Sequence, residues 1–246
     1  NYMIQIRCLN NGAIQECVPG TTLQEIYDAL ALNMPYGAVS ARVNNKVEGL
    51  GFRVYNHKDV EFLDITSDSG MRTYVRSLFF VLTKAIGALY PEGEIIIEHP
   101  VSKGYFCNLR IGRSVTQADV DAVKNRMQEI IAANIPIRRI NGPTEHAIEV
   151  FSKAGRNDVV TLLETTGKLY STYYKLYDKV DYYYGSLLTS TGMIHLFEIQ
   201  QFHDGLLLRV PSRENPDMLE DIVRQDKMLS VFSEHHQWQE ILGVAT

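Results

Sequence analysis

The chain has 246 residues, 45% hydrophobic and 22% charged, with a formal net charge of -5. This is enough chain for one large domain or two smaller ones with real cores, and the composition excludes a largely disordered chain. The acidic balance argues against broad adhesion to nucleic acid, which rests on clustered Lys and Arg neutralising phosphates.

No apolar run approaches the ~20 residues that span a bilayer, and the opening NYMIQIR lacks the basic-then-apolar layout of a signal peptide, so no membrane partner is expected. Cys8, Cys17 and Cys107 are odd in number, widely spaced and without a C-x-x-C pair. Neither a disulfide framework nor a cysteine-rich zinc site is indicated, and a reducing cytoplasm is the expected location.

MIQIRCL alternates as a strand, NNG reads as a turn and AIQECV as a second strand. Thr22 with Glu25 forms a T-x-x-E capping box, and Leu23, Ile26, Tyr27 and Leu30 fall on one face of the helix it opens. AVSARVNNKVEGL reads as strand, turn, strand, and DVEFLDI as another strand; β-β-α-β-β-β in about sixty residues predicts a β-grasp module. SDSG, residues 67–70, is a polar break and the expected domain boundary.

A long helix is predicted over residues 71–89, with Val75, Leu78, Phe79, Leu82, Ile86 and Leu89 at helical spacing and Pro91 and Gly93 ending it. EIIIEHPV and YFCNLRI read as paired strands across SKG. Thr116 and Asp119 cap a further helix with Val120, Val123, Met127, Ile130 and Ile131 inward, and residues 144–154 form another that stops at Gly155. Strands are expected from residue 159 to about 210, and Asn215 and Pro216 are expected to open an amphipathic helix carrying Met218, Leu219, Ile222 and Val223.

The common catalytic signatures are missing. Gly167-Lys168 is the one Gly-Lys pair, and Leu162 and Leu169 stand where a phosphate-binding loop needs glycine and a hydroxyl. No G-x-G-x-x-G or H-E-x-x-H occurs, and the seven histidines contain no i, i+4 pair, so no metal site is expected. The adjacent His235 and His236 read as residues at a helix C-terminus, where the dipole favours them; His99 and Cys107 are a minor candidate pair on neighbouring strands.

PGTTLQEIYDAL and the VNNKV turn resemble the TGS domain of threonyl-tRNA synthetases. RSLFFVLTKAIGALYP, HPVSKGYFCNL, VTQADVDAVKNRMQEIIAANIPI and VDYYYGSLLTSTG resemble the second domain of those enzymes, which hydrolyses mischarged seryl-tRNA. The resemblance implies an α+β chain: a β-grasp TGS domain over residues 1–66, a threonyl/alanyl-tRNA synthetase editing-like domain over 67–215, and a helical linker over 216–246. The family's H-x-x-x-H and D-x-C-x-G-x-H patterns fall on Arg76, Phe80, Tyr183 and Leu187, with only Asp181 and Gly185 keeping the family identity. Imidazoles and a thiol can order water or exchange protons near neutral pH; this replacement set cannot, so no catalytic residue is expected.

A TGS domain before an editing-like domain stripped of its catalytic residues resembles the N-terminal region of bacterial uridine (nucleoside) kinases, as do DYYYG and DGLLLRVP. That resemblance implies a non-catalytic regulatory or ligand-binding region, with ATP and Mg needed only by a P-loop kinase domain after Thr246 and no cofactor before it. The implied partners are that kinase domain, a nucleotide or RNA ligand, and a second copy of the chain. Arg76, Phe80 and Lys84, spaced i, i+4, i+8, would share a helix face, and with Asp181 and Tyr183 they define a candidate ligand cleft holding a phosphate and a stacked base. The competing reading is that Phe80 and Tyr183 plug the vacated space, with Arg76 paired to Asp181 or another acid.

An RNA- or tRNA-binding module with editing lost is the alternative function. Against it stand Glu16, Glu25, Asp28, Glu48, Asp59, Glu61 and Asp64, with no basic stripe, in the first module. Active editing and a purely architectural role are the remaining readings. DYYYGSL, residues 181–187, is expected as a strand sending Tyr182 and Tyr184 to one face and Tyr183 to the other.

Overall fold

The computed structural model describes residues 2–101 and 104–220, apart from the side chains of 98–101. The expected linker residues 221–246, including Ile222, Val223, His235 and His236, lie outside the described residues, as does the side chain of His99.

The first module follows the predicted order. Strands β1 (Ile4–Cys8) and β2 (Ile14–Cys17), a short β3 (Thr21–Thr22), helix α1 (Leu23–Leu30), β4 (Ser40–Val43), β5 (Lys46–Gly49), a short β6 (Arg53–Val54) and β7 (Lys58–Leu63) follow in turn. Five strands form one sheet in the order β2-β1-β7-β4-β5, with β1 and β7 running parallel. The Thr22 side chain accepts from Glu25 N and the Glu25 carboxylate reaches back to the cap, so α1 starts where the capping box predicts. Leu23 and Ile26 then join Ile4, Ile6, Val60 and Phe62 in a core of their own.

The polar stretch at residues 67–70 opens the long helix. Ser67 is the N-cap of α2 (Asp68–Leu89), accepting from Gly70 N at 3.0 Å, so the chain turns from β7 directly into the long helix. Polar residues at this point serve the cap, and sequence alone does not distinguish a cap from a break.

The second module continues with β8 (Glu94–Val101), β9 (Gly104–Arg110), α3 (Gln117–Ala132), β10 (Arg138–Pro143), α4 (Thr144–Lys153), α5 (Asn157–Thr165), β11 (Tyr170–Leu176) and β12 (Lys179–Asp181). A 3-10 turn (Thr191–Met193), β13 (Glu198–Phe202) and β14 (Gly205–Arg209) complete it. Two antiparallel sheets result, β10-β11-β12 and β13-β14-β9-β8. Helix α2 is buried on nearly every side and touches β4, β8, β11 and α3, so its apolar residues and the core residues Val39 and Ile65 of the first module belong to one core.

Three expectations change here. Residues 157–165 are helix where strand was expected: Val159 and Leu163 are buried four residues apart, and the neighbouring β-branched residues had suggested a strand. DYYYGSL is not a strand, since β12 stops at Asp181, yet its side chains still alternate: Tyr182 packs with Phe151 and Tyr173, and Tyr183 enters the α2 core. Asn215 does not open a helix within the described residues; Met218 N donates to its carbonyl in a turn, and Leu219 bridges Pro211.

At the start of α3, Asp119 joins three elements. Its carboxylate accepts two bonds from Arg113 at 2.7 Å, one from Tyr90 Oη at 2.7 Å and one from the Thr116 backbone at 2.9 Å. The Arg113 guanidinium, then the Thr116 amide, hold this buried carboxyl well below the usual carboxylate range. Because its folded value is depressed, its stabilisation is present in full above about pH 4–5 and fades as pH falls toward that value. Asp119→Asn is therefore expected to lower stability by about 2 kcal/mol near pH 7. Urea unfolding at neutral pH and near pH 3 should show the difference shrinking in acid.

Candidate functional site

Arg76, Phe80, Tyr183 and Leu187, the positions expected to match the editing motifs, converge on one seam, where α2 meets residues 183–189. Phe80 lies fully buried on α2, its ring centroid 5.7 Å from that of Tyr183, and Tyr174 of β11 stands 6.3 Å from Tyr183 on another side. Leu187 is buried beside them in the same core. The burial of Tyr183 drives its phenol pKa well up, leaving it a neutral hydroxyl rather than a base.

Polar bonds sew the seam shut. Thr73 Oγ1 lies 2.8 Å from Ser186 Oγ, Ser77 Oγ accepts from Leu188 N at 2.8 Å, and Arg76 Nη1 donates to the Ser186 carbonyl at 3.1 Å. Gly185 lies so close to the Arg76 guanidinium that a Cβ at this position would collide with it. Burial pushes the Arg76 pKa down, although an arginine remains protonated, and its Nε is buried without a hydrogen-bond partner.

The five expected cleft residues do not share one open cavity. Arg76, Phe80 and Lys84 lie along one face of α2 as their spacing predicts, but Lys84 Nζ bonds Asp178 at 2.7 Å beside the Tyr177 ring. Asp181 accepts from Arg156 at 3.2 Å and from the Tyr182 amide at 2.8 Å, so it is not the partner of Arg76. Phe80 and Tyr183 fill space, and Arg76 satisfies a carbonyl.

Cavities lie on both sides of this aromatic wall. One, of about 710 Å³, has Tyr183, Asp181, Arg156 and Lys179 in its lining; burial lowers the Lys179 pKa. The other, of about 1190 Å³, runs between the modules and has Tyr174 and Leu187 in its lining, with Arg53, Arg138, Arg139 and Lys175. The sequence reading missed Arg138 and Arg139 because β10 was not recognised, and Arg53 and Lys175 because they join them only across space. The Arg138-Arg139 doublet after Pro136 is the one local signal for two of them.

Other histidines with described contacts have local partners. His57 Nδ1 accepts from Gln5 N at 2.8 Å, His195 Nε2 lies 2.8 Å from the Pro216 carbonyl, and His203 packs on Phe202. All three cysteines are buried. Among the described residues, no cluster of three or more His, Cys, Asp or Glu is placed to hold a metal ion, and no helix is long and apolar enough to cross a membrane.

The fold defines a class: a mixed α+β chain in which a β-grasp TGS-like domain is followed by an editing-like α+β domain of the threonyl/alanyl-tRNA synthetase type. No protein-family model matches the chain. It is 27% identical over 192 residues to threonine-tRNA ligase 2 of Bacillus subtilis, covering 78% of this chain and 30% of that enzyme. It is 28% identical over 199 residues to the threonine-tRNA ligase of Syntrophomonas wolfei, covering 80% of the chain and 31% of that enzyme. The Desulforamulus reducens threonine-tRNA ligase is 27% identical over 151 residues, 61% of the chain and 24% of the enzyme. The chain thus spans about 30% of the length of the first of these curated relatives.

Phe80 contributes packing and no chemistry at this seam. Phe80→Ala is expected to lower the unfolding free energy by about 3–5 kcal/mol through the cavity it leaves. The measurement is the urea midpoint, with circular dichroism checking that the secondary structure is kept.

Proposed function

We propose that the chain is an RNA-binding module related to threonyl-tRNA synthetase in which editing hydrolysis has been lost. The observation that carries the loss is the sealed seam: Phe80, Tyr183 and Leu187 pack together where the family places acid-base groups, and Arg76 is committed to the Ser186 carbonyl. None of the four can take up and release a proton near neutral pH. The RNA part of the reading is supported by similarity to relatives named as threonine-tRNA ligases.

Two assays test the halves separately. Incubation with seryl-tRNA is expected to give deacylation at the background rate; hydrolysis above background would refute the loss. A gel shift with the same uncharged tRNA is expected at low salt and to weaken as salt rises. No shift at the lowest salt would refute RNA binding.

A second reading, an accessory region of a uridine kinase-like enzyme, is favoured by the DYYYG and DGLLLRVP segments. A G-x-x-x-x-G-K-[ST] motif in the continuation of the reading frame would support it, and a synthetase catalytic core there would exclude it.

A further inference from the structure

The groove of about 1190 Å³ between the modules has a composition that runs against the chain as a whole. The protein carries a formal net charge of -5, yet among the described residues the groove lining contains Arg53, Arg138, Arg139 and Lys175 and no Asp or Glu. One cation comes from β6 of the first module and three from β10 and β11 of the second, so the charge is concentrated by the way the modules meet.

The placement of these cations costs stability. Arg138 and Lys175 are directly opposite partners in the antiparallel β10–β11 pair, and like charges in that relation are destabilising. Neither makes an ion pair among the described residues. Glu48 is near the groove, where it bears on Tyr174, but its own ion pair is with Lys46 at 3.5 Å. Asp178 also feels Lys175, but its ion pair is with Lys84 at 2.7 Å, so the cross-strand cation pair is left for an anionic ligand to neutralise.

Aromatic rings lie among the cations. Tyr55 is 57% exposed, far more than packing requires, and Phe52 is half-buried with the Arg139 guanidinium 5.8 Å from its ring centre. Cations that track phosphates beside an open aromatic face are the elements of a single-strand binding groove, since every base offers a π-face. Double-stranded RNA offers the groove no unstacked base for Tyr55.

We propose that this groove binds a single-stranded segment of RNA, with Arg53, Arg138, Arg139 and Lys175 on its phosphates and a base stacked on Tyr55. This rests on the RNA-binding reading above and gives it a location. The sealed editing seam is the back wall of the groove, through Tyr174 and Leu187, and takes no part in chemistry.

The test is fluorescence anisotropy of the whole chain with a labelled oligouridylate of about 12 nucleotides, titrated between ~50 and ~200 mM salt. Arg138→Ala/Lys175→Ala is expected to weaken binding at least tenfold at low salt and to flatten the log-log salt slope by about 1.4, at ~0.7 for each phosphate no longer neutralised. Its melting temperature should stay level or rise, because two opposed like charges have gone. Tyr55→Ala should cost roughly tenfold in affinity. Lys153→Glu/Lys168→Glu, exposed and outside the groove, should bind like wild type.

Each contrary result overturns a different statement. No binding by the wild type at the lowest salt overturns both the RNA reading and the groove. Wild-type binding with an unchanged slope in Arg138→Ala/Lys175→Ala overturns the groove and leaves the RNA reading standing. Unchanged affinity in Tyr55→Ala, or tighter binding to a duplex of the same length, overturns the single-strand assignment.

Discussion

The contact between α2 and residues 185–189 is the constraint on which the rest of the structure depends. Thr73, Arg76 and Ser77, on successive turns of one helix, reach Ser186 and Leu188 through three polar bonds in a largely apolar interior. A buried backbone amide or carbonyl without a partner costs roughly 1–3 kcal/mol, so this irregular segment can run through the interior only where α2 supplies those partners. The same segment joins the modules: Ser186 packs against Gly49 at the end of β5, and Thr189 Oγ1 donates to Gln24 Oε1 of α1 at 3.0 Å. A single strip of chain thus closes the editing-like cleft and docks the β-grasp sheet.

Closing the cleft this way has a chemical consequence. An editing site must leave room for a water, held by groups that exchange protons near neutral pH. At this seam Phe80 and Tyr183 pack ring against ring, and the Tyr174 ring adds to the wall. Arg76 brings a charge to the seam but spends a donor on a carbonyl, and glycine at position 185 leaves room for the guanidinium to lie close beneath the chain. Glycine at position 185 therefore has a local physical basis: a side chain there would displace the Arg76 guanidinium from its place beneath the chain.

Much of this was legible from residue order, and the failures share a cause. Capping boxes at Thr22 and Thr116 mark α1 and α3 because their reciprocal bonds are local in sequence. The i, i+4, i+8 spacing of Arg76, Phe80 and Lys84 places them on one face for the same reason. What cannot be read locally is the partner across space. Asp181, named with other acids as a partner for Arg76, meets Arg156 instead, and Asp178 claims Lys84. Helix α5 was masked by its valines, whose strand preference yields to the burial of Val159 and Leu163 against α4 and β11. The alternation of Tyr182 and Tyr183 survived the loss of the strand because each ring is drawn into a different core.

Electrostatics shows the same limit at a larger scale. Net charge and the acidic residues of the first module argue against nucleic acid when charge is summed along the chain. Phosphates respond to charge within about a Debye length, roughly 10 Å at 0.1 M salt, and not to the total. Arg53 and Arg138 are far apart in sequence, yet both line one groove. Meanwhile Asp59 and Glu61 are occupied by Arg7 and Arg42 on the first sheet, in exposed pairs that hold those carboxylates to their partners. A chain that is acidic on average can therefore present a locally basic surface without a basic run anywhere in its sequence. The docking strip at residues 186–189, by holding the two modules together, is what turns four scattered cations into one surface.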